Sequence, residues 1–222
     1  DRVRGLQLGA DDYVVKPFDE RRLAQTMERL GRSYEVVFVN DGSRDGTLES
    51  LRGFQAQDSR VTVVDLARNF GHQAAVTAGI DHATGRAVVV MDGDLQDPPE
   101  VIPEFVERWE QGYDVVYAIR TKRKEGLLMR MAYALFYRFL RSISDTELPL
   151  DAGDFCLMDQ KVAQILRQMP ERNRFVRGLR SWVGFNQIGL EYERAERYGG
   201  EPKYTFKALM ELATSGFVSF SK

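Results

Sequence analysis

A single cysteine, Cys156, and only two histidines, His72 and His82, leave the 222-residue chain without a disulfide framework or a zinc site of the Cys/His type. Long apolar runs are missing too. No charge-free stretch approaches the roughly 20 residues a membrane-spanning helix needs, and the first residues carry no secretory leader pattern. Nor is one sign of charge in excess: 31 Lys and Arg against 33 Asp and Glu give a formal charge of -2, which excludes a nucleic-acid surface spread over the whole molecule. Basic residues gather only locally, between Arg120 and Arg141. A reducing, cytoplasmic setting is the expectation. What is present, 43% hydrophobic residues, suffices for the core of one ordinary α/β domain, with or without a small addition.

Along the chain, β-branched runs alternate with amphipathic stretches. Residues 34–40, 61–66, 86–91 and 113–119 read as strands with helical patterns between them. This order predicts a doubly wound, mostly parallel α/β sheet with helices on both faces and a ligand crevice at the carboxyl ends of the strands. The chemically informative residues fall at those ends, in Asn40-Asp41-Gly42-Ser43, Asp65-Leu66-Ala67-Arg68-Asn69-Phe70-Gly71 and Asp92-Gly93-Asp94-Leu95-Gln96.

Asp92 and Asp94 close the apolar run Val88-Val89-Val90-Met91 one residue apart. Where a strand breaks, both carboxylates and Gln96 can converge on one hard, oxygen-seeking cation, Mg²⁺ or Mn²⁺, of the kind that holds a diphosphate. The plain alternative is that they cap the next element, because Asp-rich turns are common. Residues 43–47 read as an ordinary turn and helix cap, with Asp45 or Thr47 accepting first-turn amides. Asp41 is less easily explained that way, since a carboxylate at a strand terminus can accept hydrogen bonds from a nucleobase or ribose.

Tyr34-Glu35-Val36-Val37-Phe38-Val39-Asn40-Asp41-Gly42-Ser43-Arg44-Asp45-Gly46-Thr47, Arg68-Asn69-Phe70-Gly71-His72, Asp92-Gly93-Asp94-Leu95-Gln96-Asp97-Pro98-Pro99 and Asp151-Ala152-Gly153-Asp154-Phe155 resemble, in this order, the motifs of glycosyltransferase family 2. Within that family the chain is most similar to the polyprenyl-phosphate glycosyltransferases, which include dolichol-phosphate mannose synthases and bactoprenol glucosyltransferases. The resemblance implies a GT-A (Rossmann-like) fold over residues 34–222. It also implies an inverting, metal-dependent hexosyl transfer from a nucleoside-diphosphate sugar, taken as UDP-linked, to a polyprenyl phosphate at the cytoplasmic face of the inner membrane, as in lipid-linked sugar synthesis.

The resemblance further assigns roles. Asp41, Asp92, Gly93 and Arg68 become the nucleotide site. Asp92, Asp94 and Gln96 become the metal site for Mg²⁺ or Mn²⁺. Asp154 becomes the carboxylate beside the acceptor, where the plain reading is a loop cap. Arg120, Arg197 and Lys203 become the groups facing the diphosphate and the acceptor phosphate. Pro202 stands where the family usually has Ser or Thr, which removes an amide donor and stiffens that loop. Leu128, Met131, Leu135 and Phe139 recur at helical spacing beside Arg130, Arg138 and Arg141, a pattern shared by an interfacial helix and by a helix packed on the domain with its basic residues in water. The resemblance favours the interfacial helix and hence a peripheral membrane surface as partner. It also implies that the chain stops before the spanning helices of anchored relatives.

The first residues differ. Asp1 to Glu20 and the helix after them resemble the end of a response-regulator receiver domain, with Lys16-Pro17 matching the switch lysine and its proline. A receiver's phosphorylated aspartate lies in earlier strands, so phosphorelay is not expected. Residues 1–33 instead read as a substitute βα unit, with residues 13–16 as strand, Asp19 as N-cap, and Leu23, Met27 and Leu30 as the buried stripe. Pro17-Phe18-Asp19-Glu20 then stands where the family has Pro-x-Tyr-Asn-Glu-Glu, which flanks the nucleotide. Three classes follow: the transferase, a folded but inactive chimera with impaired donor binding, and a signalling or interaction module derived from the receiver piece. Sugar, lipid and oligomeric state are not encoded legibly.

Overall fold

The computed structural model describes residues 20–93, 96–120, 152–171 and 174–193. Asp94, Arg197, Lys203, the expected strand at 13–16, the Asp19 cap, the basic segment 122–141 and the tail lie outside the described residues.

Helix α1 (Glu20–Arg29) turns Leu23, Met27 and Leu30 inward at helical spacing. Then come β1 (Val36–Asn40), α2 (Thr47–Gln57), β2 (Val61–Asp65), α3 (His72–His82) and β3 (Ala87–Val90). A 3-10 turn (Pro99–Val101) leads into α4 (Ile102–Glu110), followed by β4 (Val115–Arg120), β5 (Ala152–Asp159), α5 (Gln160–Gln168), α6 (Val176–Trp182) and β6 (Gln187–Tyr192). The four strands expected between residues 34 and 119 are present within a residue or two of their bounds, and β5 and β6 are strands that the sequence reading did not anticipate. Local chemistry starts the helices: Asp45 Oδ1 accepts from the Thr47 amide at 3.0 Å, Asp159 Oδ1 accepts from the Lys161 amide at 2.9 Å, and Pro103 occupies the first turn of α4, where its missing donor costs nothing.

β1 and β2 pair in parallel. The other strands form a sheet in the order β3-β5-β4-β6, in which β3, β4 and β6 run one way and β5 alone runs the other. β5 alternates strictly: Cys156 and Met158 enter one core with Val88, Val115 and Val162, while Phe155 and Leu157 enter the opposite core with Phe105, Val116 and Tyr192. Helices α3, α5 and α6 cover the first face, and α1 and α4 the second. Among the described residues no strand links β1 to β3, and a cleft of about 1210 Å³ runs between their facing edges.

Phe105 anchors the second face. It is fully buried, its ring centroid 4.8 Å from that of Phe155. Phe105→Ala is expected to lower unfolding free energy by about 3–5 kcal/mol, read from the urea midpoint. A loss under about 1 kcal/mol would show that α4 does not brace the sheet.

Candidate active site

The crevice is built by loops that leave the strand ends. Asp41 follows β1, and its two carboxylate oxygens accept from the Phe70 amide at 2.7 Å and the Gly71 amide at 2.9 Å. This draws the β2–α3 loop onto the β1–α2 loop, and the approach is backbone on backbone. Gly42 has φ of +65°, and a Cβ there would lie 2.4 Å from Arg68 C and Asn69 N, so glycine is required. On the docked loop the Arg68 guanidinium lies 4.1 Å from the centroid of the half-exposed Phe70 ring. Asp41, expected on a nucleobase, therefore also organises the loop that carries Arg68.

Asp154 reaches the crevice because β5 is reversed. An antiparallel strand begins where its parallel neighbours end, so the second residue after Ala152 lies at the same end of the sheet as Asp92. Its side chain is 13% exposed and held from two sides. His72 Nε2, from the first residue of α3, is 3.1 Å from Oδ2. Arg177, from the first turn of α6, brings Nη2 to 3.0 Å from Oδ2 and Nε to 3.4 Å from Oδ1. Burial opposes ionisation of Asp154, but the hydrogen bond from His72 and the charge and hydrogen bonds of Arg177 together outweigh it, and the pKa lies well below the usual carboxylate range. The hydrogen bond to Asp154 correspondingly raises the His72 pKa, against burial. His72 Nδ1 also faces Asp92 Oδ1 at 4.0 Å, so carboxylate, imidazole, carboxylate and guanidinium alternate across the crevice.

Arg120 ends β4 beside the same strand: a Cβ on Gly153 would sit 3.5 Å from its Nη2. It also neighbours Tyr192, whose hydroxyl donates to the buried Asp97. Burial first, then that hydrogen bond, push the Tyr192 pKa up to about 12, with Arg120 acting in the opposite sense. Gln96 is buried. For a hard cation the fit rests on Asp92, a partly exposed oxygen donor at the crevice with Gly93 beside it; among the described residues no three His, Cys, Asp or Glu side chains converge. The structure thus brings Asp92, Asp154 and His72 together, with Arg120 beside the same strand as Asp154, Arg68 in the loop that leads to His72, and Asp41 bonded to that loop from the end of β1.

Sequence reasoning missed His72 and Arg177. His72 closes the Arg68-Asn69-Phe70-Gly71-His72 motif and so had a signal. Arg177 lies among the arginines of Arg172-Asn173-Arg174-Phe175-Val176-Arg177 and had none.

The solved structures of a mannosyltransferase, PcManGT, from Pyrobaculum calidifontis in complex with GDP-Man and Mn²⁺ (TM-score 0.58, 19% identity, 94% of this chain and 61% of that one) and of Staphylococcus aureus TarS 1-349 in complex with UDP (TM-score 0.52, 16% identity, 90% and 62%) share this architecture. The fold is that of a GT-A glycosyltransferase. The Glycosyl transferase family 2 model matches residues 18–166, more than half of the chain, which therefore belongs to that family. The match includes α1. The chain is 50% identical over 202 residues to the uncharacterized glycosyltransferase YkcC of Bacillus subtilis (90% of this chain, 62% of that protein). It is 44% identical over 193 residues to a prophage bactoprenol glucosyl transferase homolog of Escherichia coli (86% and 63%) and 43% identical over 217 residues to the bactoprenol glucosyl transferase of Shigella phage SfV (94% and 71%). The chain thus spans under two thirds of the length of the first two.

The clamp on Asp154 makes a direct prediction for proton NMR in the absence of metal. The midpoint of His72 is expected above the unperturbed value of about 6.5 and lower in Asp154→Asn than in the wild type, because its largest raising contribution is then lost while burial and Arg177 still oppose the charge and only Asp92 supports it. Since its folded pKa is raised, His72 contributes stability that is present below its unfolded pKa and lost as pH rises through the folded value, whereas Asp154, whose folded pKa is lowered, contributes stability present above its unfolded pKa and lost as pH falls. An unchanged midpoint in Asp154→Asn would show that the imidazole and the carboxylate do not interact.

Proposed function

We propose that the chain catalyses inverting transfer of a sugar from a UDP-linked donor to a polyprenyl phosphate at the cytoplasmic membrane face. The observation that carries the reading is the ionised Asp154, clamped by His72 and Arg177 beside Asp92, in a family 2 fold. The relatives named for bactoprenol glucosyl transfer supply the acceptor class.

One displacement accounts for the chemistry. The bond from the anomeric carbon to the diphosphate oxygen breaks, its electrons leave with the nucleoside diphosphate, and a lipid phosphate oxygen forms the new bond from the opposite side. A bound Mg²⁺ or Mn²⁺ would neutralise charge on the departing diphosphate, held by Asp92 with Asp94 and Gln96 assigned beside it. A carboxyl with a strongly lowered pKa is a poor base at neutral pH, but a phosphate monoester with a second pKa near 6 is already largely dianionic. Asp154 therefore orients the acceptor rather than deprotonating it. Arg177 and His72 offset the repulsion between that carboxylate and an incoming phosphate, while Arg120, Arg197 and Lys203 hold phosphate oxygens. Arg68 and Asp41 frame the nucleotide.

Calorimetric titration of UDP tests the donor half. Binding is expected with Mn²⁺, is lost with chelator, and is lost in Asp92→Asn and Asp94→Ala. A folded wild-type chain that binds no UDP would overturn this half and leave the inactive scaffold. Transfer to a short-chain polyprenyl phosphate tests the acceptor half: Asp154→Asn is expected to lower it on the order of 100-fold while leaving UDP affinity unchanged. Wild-type turnover in that variant would remove Asp154 from the mechanism.

A further inference from the structure

The two groups that hold Asp154 are themselves joined, through a side chain that makes no contact with the carboxylate. His72 is followed by Gln73 in the first turn of α3, and Arg177 is preceded by Val176 in the first turn of α6. Gln73 Oε1 accepts from the Val176 amide at 2.9 Å, across 103 residues of sequence. The bond meets a need of α6. The first amides of a helix have no carbonyl within it to bond, Val176 is buried, and Phe175 at the cap position has no side-chain oxygen to offer. Gln73 supplies that oxygen from a neighbouring helix. His72 Nε2 at 3.1 Å and Arg177 Nη2 at 3.0 Å meet the same Asp154 oxygen, so a closed ring results, from Asp154 through His72, Gln73, Val176 and Arg177 back to Asp154. Two arginines brace the frame farther from the crevice. Arg167 of α5 donates to Ile80 O at 3.0 Å and to Ala83 O at 2.5 Å, where α3 ends, and Arg174, ahead of α6, donates to Met169 O at 2.7 Å, where α5 ends. The three helices that cover this face of β5 are thus tied by polar bonds as well as by packing, and Gln73 is the tie at the crevice.

We propose that Gln73 is a positioning residue: it fixes the start of α6 against the start of α3, so that His72 and Arg177 meet Asp154 together and hold that carboxylate in one orientation. Its effect on turnover rests on the proposed role of Asp154, and its effect on the clamp rests on geometry alone. An arginine side chain has several rotatable bonds, and ordering it costs conformational entropy. Fixing the backbone from which Arg177 projects restricts where its guanidinium can go, so less of that cost remains for the bond to Asp154. Gln73 does this without charge. A neutral amide adds no third carboxylate to a crevice that already holds Asp92 and Asp154, and it leaves the alternation of anions and cations there undisturbed. It acts on the acceptor side of the crevice, since the loop that carries Arg68 is held separately, by the Asp41 carboxylate on the Phe70 and Gly71 amides.

Nitrogen-resolved NMR on the full chain, without metal or nucleotide, tests the geometry. In the wild type the Val176 amide is expected to exchange on the order of 100-fold slower than unstructured chain, and the Arg177 guanidinium signals are expected to shift in Asp154→Asn. Gln73→Met, which keeps the length and removes the acceptor, is expected to speed Val176 exchange on the order of 10-fold and to shift the Arg177 signals in the same sense as Asp154→Asn. Arg177 signals unchanged from the wild type in a folded Gln73→Met chain would overturn the proposal, as would wild-type exchange of Val176 at the unstructured rate. If Gln73→Met fails to fold, Gln73→Asn, one methylene shorter, gives the same comparison. In transfer to a short-chain polyprenyl phosphate, Gln73→Met is expected to lower kcat on the order of 10-fold with UDP affinity unchanged, and to cost nothing more when combined with Asp154→Asn, because it acts through that carboxylate. Independent, multiplying losses in the double variant would overturn the positioning role. A wild-type chain that transfers no sugar counts against the catalytic reading alone, since the NMR comparison reads the clamp without turnover.

Discussion

The reversed strand β5 is the constraint on which the rest depends. It is hydrogen-bonded along both edges, to β3 and to β4, and sends alternate side chains into both cores. Nothing on it can move without disturbing two ladders and two packed faces. Because it runs against its neighbours, its first residues emerge at the crevice, and Asp154 is placed by a strand paired along both edges. The first turns of α3 and α6 then bring His72 and Arg177 to that carboxylate. That is the arrangement expected where geometry, more than acidity or basicity, does the catalytic work.

Around that carboxylate the charges alternate. Asp92, His72, Asp154 and Arg177 come from β3, α3, β5 and α6, and each cation lies beside one or two anions. Two partly buried carboxylates at one crevice would otherwise repel each other and one would take up a proton. The intervening imidazole and guanidinium keep Asp154 ionised. The lower wall is built differently, from the Tyr192 hydroxyl on Asp97 with Arg120 alongside.

The β1 loop with Asp41 and the β3 loop with Asp92 belong to sheets that no described strand joins. Their spacing is set by Glu35 at one end and by helices α1 and α3 packed across the cleft.

The positions of β1 to β4, the mostly parallel α/β class and the crevice at the strand ends were legible in the sequence, because β-branched runs and turn residues report local conformation directly, whereas β5 and β6 were not read from it. Asp41, Asp92 and Asp154 were legible as candidate site residues because each sits in a short motif. His72 and Arg177 were not: what makes them partners of Asp154 is the packing of α3 and α6 on one face of β5, 82 and 23 residues away in sequence. Nor did local pattern show that Asp41 braces the Arg68 loop, which depends on the bare backbone contact at Gly42. The sequence by itself determined the elements as far as β4, their order and the carboxylates available. Only the tertiary structure decided the presence and direction of β5 and the cations that hold Asp154 ionised, since pairing and desolvation arise between residues that the chain keeps far apart.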